Sequence, residues 1–454
     1  MLRLLAAEAA RRFGSRAAFD TGEARLSFSD LDRLSDRVAA GLAHRGVRMG
    51  DLVALVLPDG PELPVCYLAA AKIGAVTAAL ACDQPRRAEA IERLDPAIVV
   101  TTAAHARLGA GRELVVLPGS GGQPVESLRP LLRAEPPPPP LPPDPLRPVA
   151  VVFTAGTTGS PKPVVFANRQ LAAILATGVG TRWGAGEARL LSRPLPHMTF
   201  MTRLPVLLQT GRTSHIVPAW ARAWATGLPA DGDGDAGAGR GDAGAGPGGP
   251  GFDAARVWRL LERERIGVLQ GTPAQLAALA AALGEPACGT AGPPGSLRMV
   301  LCSGAPAPAR LVRMLRERFR VPVCNRYLCT EAGLGLGTGP EDPPRDAEET
   351  VGRPRPGVEV DVRDADGRRL TRAEMDRGEV GEVLLRSDAV MSGYFRDPAA
   401  DARAFARDGF VRTGDRGFVD RDGRLHLVGR TTAGPAGDRP DRRQESAPKG
   451  RDRT

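Results

Sequence analysis

Apolar residues at Phe28, Leu31, Leu34, Val38 and Leu42 recur at the spacing of one helical face, and Ser29 and Asp32 stand where a helix start needs acceptors. The spacing predicts an amphipathic helix from about Leu26. Gly50-Asp51 then introduces the apolar run Leu52 to Leu57, a strand, and Pro64 to Ile73 is predicted as a second helix ending at Gly74. The alternation continues. Val149 to Phe153 and Leu190 to Leu195 are predicted strands, and Val257, Leu260 and Leu261 mark a helix before the strand Val268 to Gln270. Ala274 to Leu283 and Ala307 to Phe319 follow as helices, with Leu297 to Cys302 and Val321 to Cys324 as strands. Strand and helix in turn define an α/β fold. From Val358 the pattern changes to short strands, Val358 to Val362, Val380 to Leu385, Phe418-Val419 and Leu425 to Val428. Turns at Asp364 to Gly367 and Asp420 to Gly423 separate them, so residues 350–430 are expected to form a small β-barrel.

Three stretches interrupt this pattern. Pro136 to Pro148 is a proline-rich, extended connector. Residues 229–251 are almost wholly Gly, Ala and Asp and cannot bury apolar surface, which predicts a flexible insertion. Asp231, Asp233 and Asp235 alternate there as in a calcium loop, but Ala236 and Asp242 stand where that loop needs Gly and Glu. Residues 431–454 are rich in Arg, Asp and Pro and are expected to be a disordered tail.

The 454 residues carry a net charge of +9, which raises the question of nucleic acid. The charge forms no stripe and only 4% of residues are aromatic, so no nucleic-acid partner is expected. Six cysteines, Cys66, Cys82, Cys288, Cys302, Cys324 and Cys329, contain no C-x-x-C pair and read as reduced thiols. No uncharged stretch is long enough to span a bilayer and the N-terminal run is interrupted by charges, so a cytoplasmic protein is expected.

Chemistry concentrates where Val149 to Phe153 runs into Thr154-Ala-Gly-Thr-Thr-Gly-Ser-Pro-Lys162. Gly156 and Gly159 allow successive backbone N–H groups to face one concavity, Thr154, Thr157, Thr158 and Ser160 add hydroxyls, and Lys162 adds one of only three lysines in the chain. That is an anion cradle, with a polar surface turn as the plainer alternative. Further along, Ser303-Gly304-Ala305-Pro306 is a tight turn after a strand, and Tyr327, Thr330 and Glu331 cluster at another strand's exit. A loop with a buried Tyr is the plainer reading of the second group.

The order of the cradle resembles the phosphate loop of the adenylate-forming (AMP-binding) superfamily, the acyl-CoA synthetases and their relatives, with Ala155 in place of the usual Ser and Pro163 in place of Gly. Lys72-Ile-Gly-Ala75, Pro196-His197-Met-Thr-Phe200, Ser303 to Pro306, Tyr327 to Glu331, Met391-Ser-Gly-Tyr-Phe, Arg412-Thr-Gly-Asp415 and Gly429-Arg430 resemble further family segments in the family order. Leu328 replaces a Gly in one of them. The resemblance implies an ATP-dependent carboxylic acid–CoA ligase using ATP, Mg²⁺ and coenzyme A. It implies Lys162, Thr330 and Glu331 as catalytic residues and Glu331 as the metal ligand. For the nucleotide it implies Thr154, Gly156, Thr157, Thr158, Gly159, Ser303, Gly304, Ala305, Pro306, Tyr327, Thr330, Asp415 and Arg430, and for the acyl pocket His197. Residues 1–430 would be the large domain, two α/β subdomains plus the β-barrel. The family's C-terminal lid domain, with its lysine, is expected to be absent, and Lys449 receives no role. The alternatives are a non-catalytic nucleotide- or acyl-binding remnant, or one part of a split ligase whose lid is encoded separately.

Overall fold

The computed structural model describes residues 1–84, 86–118, 124–154, 161–184, 186–218, 220, 253–283 and 292–431. The expected insertion 229–251 and the tail 432–454 lie outside the described residues, as does Cys288. The other five cysteines are free thiols.

The first predicted helix is Phe28–His44, and its apolar stripe Phe28, Leu31, Leu34, Val38 and Leu42 is buried. Its cap lies earlier than expected. Ser27 has the extended backbone an N-cap needs, and its hydroxyl accepts the Asp30 N–H at 3.0 Å. Asp32 is instead drawn to the next helix, Glu62–Lys72, where buried Lys72 lies 2.7 Å from Asp32 and 2.8 Å from Asp36.

Strand Leu52–Val56 sits inside a seven-stranded sheet of order Gly393–Tyr394, Pro163–Ala167, Pro148–Phe153, Val76–Ala79, Leu52–Val56, Ile98–Thr102, Glu113–Leu117. The last five strands are parallel, and Pro163–Ala167 runs antiparallel to its neighbours on both sides. The connector before Pro148 contains neither helix nor strand from 136 on.

A second, five-stranded sheet has the order Val268–Gly271, Met299–Ser303, Val323–Cys329, Gly333–Gly337, Arg353–Pro354, with the first three parallel. Alternation along these strands sends Leu269, Val300 and Cys302 into a core with Trp258 and Phe319. The third strand runs five residues beyond the predicted Cys324, because Asn325 pairs with Cys302 on one side and Arg326 with Gly337 on the other. Its partner Gly333–Gly337 escapes prediction for its glycines, which the packing requires. A Cβ on Gly337 would stand 2.9 Å from the Asn325 carbonyl oxygen.

A small mixed sheet, Arg25–Ser27, Ala17–Asp20, Ser214–Ile216, Arg189–Leu191, completes the α/β part. The predicted strand Leu190 to Leu195 stops at Leu191, since Pro194 and Pro196 lack the N–H a ladder needs. The C-terminal strands form a four-stranded antiparallel sheet, Glu359–Arg363, Gly381–Arg386, Val411–Val419, Leu425–Arg430. Among the described residues its two edge strands, Glu359–Arg363 and Leu425–Arg430, do not pair with each other, so this sheet alone does not close the anticipated barrel.

Candidate active site

The strand Pro148–Phe153 and its return Pro163–Ala167 hold the two ends of the cradle together. The Thr154 N–H donates to the Lys162 carbonyl at 3.0 Å, and the Lys162 N–H donates to Thr154 Oγ1 at 3.0 Å. Gly156, Thr157, Thr158 and Gly159 lie outside the described residues.

Next to Pro163–Ala167, the two-residue strand Gly393–Tyr394 pairs Tyr394 with Val164 and so brings the tyrosine beside the lysine. Lys162 Nζ sits 5.7 Å from the centre of the Tyr394 ring, and the Tyr394 hydroxyl donates to Glu331 Oε1 at 2.9 Å. Glu331 occupies the turn between Val323–Cys329 and Gly333–Gly337, with half-buried Thr330 before it. Burial raises the Glu331 pKa. Its own backbone N–H, the Tyr394 hydroxyl, Arg430 and Lys162 oppose that rise. The family-like segment Met391 to Phe395 contains Tyr394, and the sequence pattern alone assigns it no role in the site. Only the antiparallel edge strand reveals it.

Tyr327, expected just past the exit of the strand Val321 to Cys324, lies within the longer strand Val323–Cys329. Its hydroxyl donates to Asp415 Oδ2 at 2.5 Å, and Arg430 Nε lies 3.0 Å from Asp415 Oδ1. Register explains this meeting, since Asp415 and Arg430 are cross-strand partners in the C-terminal sheet. Burial raises the Asp415 pKa, and the Tyr327 hydroxyl and Arg430 counter it. Arg430 thus acts on both Glu331 and Asp415, which makes the two clusters neighbours.

At the end of the strand Met299–Ser303, the buried Ser303 carbonyl accepts from Arg193 Nη2 at 3.0 Å, while Gly304, Ala305 and Pro306 are exposed. Gly304 has φ +95°, and a Cβ there would stand 1.9 Å from the Arg193 guanidinium. A lone arginine between Ser192 and Pro194 carries no motif, so only the fold shows the place of Arg193.

On the other face of the same sheet, Val268, Gln270, Met299, Leu301, Arg326 and Leu328 line a cavity of about 490 Å³. The helices Asn168–Val179 and Leu204–Thr210 wall it with Ile174, Val179, Val206 and Leu207. Leu328, in the family's usual Gly position, therefore faces this space. His197 caps the short helix Met198–Met201 by accepting the Thr199 N–H at 3.1 Å. Met198 and Thr199 line the cavity beside it, and His197 is not among the lining residues.

The described residues hold no group of three or more His, Cys, Asp or Glu able to cage a metal. Glu331 nevertheless suits Mg²⁺, which is ordinarily bound by one or two carboxylates together with substrate phosphates and water. No helix among the described residues is long and apolar enough to cross a membrane.

An α/β protein with cations, a carboxylate and a tyrosine gathered at strand ends has its candidate site where sheets of this class place ligands. The particular family follows from the sequence profile described as AMP-binding enzyme, which matches residues 6–229 and 243–395, and the chain belongs to that family. It is similar to a relative named 4-coumarate--CoA ligase 5 from Oryza sativa subsp. japonica, 28% identical over 428 residues, covering 90% of this chain and 71% of the relative. It is likewise similar to one named Sulfoacetate--CoA ligase from Cupriavidus necator, 27% identical over 431 residues, covering 90% and 74%. The ATP-bound crystal structure of MatB from Rhodopseudomonas palustris superposes with a TM-score of 0.74 at 23% identity, covering 95% of this chain and 79% of that one. The inhibitor-bound N-terminal domain of FACL13 from Mycobacterium tuberculosis gives 0.74 at 24% identity, covering 94% and 99%. The fold is that of the large N-terminal domain of adenylate-forming enzymes, and the chain is acid–thiol ligase-like.

Proposed function

We propose that the protein is an ATP-dependent carboxylic acid–CoA ligase. The observation that carries this reading is the run of neighbouring contacts from Lys162 through Tyr394 to Glu331 and from Tyr327 through Asp415 to Arg430. In the first step the acid's carboxylate oxygen attacks the α-phosphorus of ATP, an acyl-adenylate forms, and pyrophosphate leaves. In the second the CoA thiolate attacks the acyl carbon, and AMP leaves with the bonding electrons of the anhydride.

The obstacle to the first step is repulsion between two anions. Lys162, held at the mouth of the cradle by Thr154, places a positive charge where phosphates would lie. The Tyr327 ring offers adenine a flat face, Ser303 to Pro306 a wall, and Thr330 a hydroxyl near the α-phosphate. Asp415 has two acceptor oxygens for the ribose hydroxyls, and Arg430 balances its charge. Glu331 would hold Mg²⁺, which supplies charge neutralisation on the phosphates.

ATP–pyrophosphate exchange across short, long and aromatic acids tests the reading, followed by a CoA thioester assay with any acid that responds. Lys162→Ala and Glu331→Ala are each expected to lower exchange by about a hundredfold or more. Near-unchanged exchange in either variant removes that residue's role. ATP binding without exchange for any acid favours the non-catalytic or split alternative.

A further inference from the structure

The cavity beside the nucleotide residues holds more positive charge than one carboxylate needs. Arg189, Arg203, Arg212, Arg326 and Arg355 all line it, and they come from separate parts of the chain. The grouping is therefore made by the fold and not by a run of basic sequence. The cavity's one carboxylate, Glu187, is exposed and already paired with exposed Arg298. Among the described residues, Arg189, Arg203, Arg212 and Arg355 form no ion pair with a carboxylate, and Arg326 is held by the carbonyl oxygens of Asn325 and Thr338. Burial, with neighbouring arginines adding to it, lowers the pKa of Arg203 to about 10 and of Arg212 to about 9. Both remain charged at neutral pH, so like charges are crowded in a partly dehydrated space.

Two neutral details sharpen the picture. Ser214 is fully buried and lines the cavity, and among the described residues its hydroxyl has no hydrogen-bond partner; neither has the buried Nε of Arg212. Ser214 is also the cross-strand partner of Arg189 in the small mixed sheet, which sets hydroxyl and guanidinium side by side. Unsatisfied donors gathered beside unpaired cations form a site that favours an oxyanion. The reacting carboxylate does not fill it. That group belongs at the nucleotide end, where Leu328 lines the cavity and the adjacent Tyr327 reaches Asp415.

We propose that the acid taken by this cavity carries a second anionic group, a carboxylate or a chemically similar oxyanion, bound by Arg189, Arg203, Arg212 and Ser214 at the end remote from the reacting carboxylate. This rests on the ligase reading of the neighbouring cleft. The apolar walls suit the chain between the two groups, and about 490 Å³ is room for a small diacid.

Calorimetric titration of the intact protein tests the proposal, first with a non-hydrolysable ATP analogue and then, in its presence, with matched acids. The pairs are butanoate and succinate, hexanoate and adipate, octanoate and suberate, with inorganic phosphate as the free anion. In at least one pair the diacid is expected to bind about tenfold tighter or better than the monoacid. Arg212→Gln and Ser214→Ala are each expected to cut that preference by about threefold or more while leaving analogue binding within about twofold. Exposed Arg313, paired with Glu348, supplies the charge control, and Arg313→Gln should leave the preference in place. The comparison on the unaltered protein stands even where a variant fails to fold. Equal affinities in every pair, with the analogue bound, overturn the second-anion site and leave the nucleotide reading intact. So does inorganic phosphate that binds as tightly as the best diacid and competes with it, since the site is then one for a free anion. Failure to bind the analogue removes both readings.

Discussion

Asp415 has two partners before any ligand arrives, the Tyr327 hydroxyl on one oxygen and Arg430 on the other. The pair of contacts fixes the carboxylate, and burial makes its charge stronger toward whatever enters. Removing the carboxylate therefore costs more than removing one donor to it. Asp415→Ala should weaken ATP binding about a hundredfold, since it loses bonds to a charged group and removes the carboxylate that Arg430 pairs with. Tyr327→Phe keeps the aromatic face and loses one hydroxyl, so its loss should stay within about tenfold. Titration calorimetry orders the two variants. A larger loss in Tyr327→Phe would show that the hydroxyl, not the ring, is what the nucleotide uses, and the adenine-face assignment would fall.

The element order was largely legible because periodicity follows burial: the stripe from Phe28 to Leu42 and the run at Leu52 appear in the structure as predicted. What could not be seen was backbone partnership. The strand reaching Cys329 and its glycine partner are made by ladder bonds on both sides, and no side-chain pattern records those. The same blindness hid Tyr394, whose place depends on a two-residue edge strand, and the arginine cavity, whose members are scattered from 189 to 355. The hairpin at Asp420 was legible from its Asp-Gly turn, and its charge chemistry is a structural addition. Asp420 accepts the N–H groups of Asp422 and Arg424, both at 3.0 Å, and pairs with the Arg424 side chain at 2.7 Å and His426 at 2.9 Å. Burial opposes ionisation, but His426 and Arg424 outweigh it and hold the carboxyl well below its usual range. A depressed folded-state pKa gives stability that is fully present above the unfolded value of about 4 and is lost as pH falls through the folded one. Asp420→Asn should thus lower stability at pH 7 by about 1 kcal/mol. Denaturant melts should show the gap between variant and parent narrowing below about pH 4. A gap that stays constant with pH would mean the hydrogen bonds of the turn, not the charge, hold the hairpin.

Three sheets contribute to one cluster of side chains: Lys162 and Tyr394 from the seven-stranded sheet, Tyr327 from the five-stranded one with Glu331 in the turn that follows its strand, and Asp415 with Arg430 from the C-terminal one. Side-chain bonds already link these sheets here, Tyr394 to Glu331 and Tyr327 to Asp415, and a nucleotide lying across them would add a further tie. Binding to the folded state alone stabilises it by about 2.7 kcal/mol when free ligand is a hundred times Kd. Because the tie touches all three sheets, the added protection should be shared among them rather than confined to the cradle. Amide hydrogen exchange with and without saturating ATP measures this directly. Slower exchange is expected together in the strands Pro163–Ala167, Val323–Cys329 and Val411–Val419. Protection restricted to Pro163–Ala167 would mean that phosphates are gripped without adenine or ribose being held, and Tyr327 and Asp415 would then serve the fold and not the ligand.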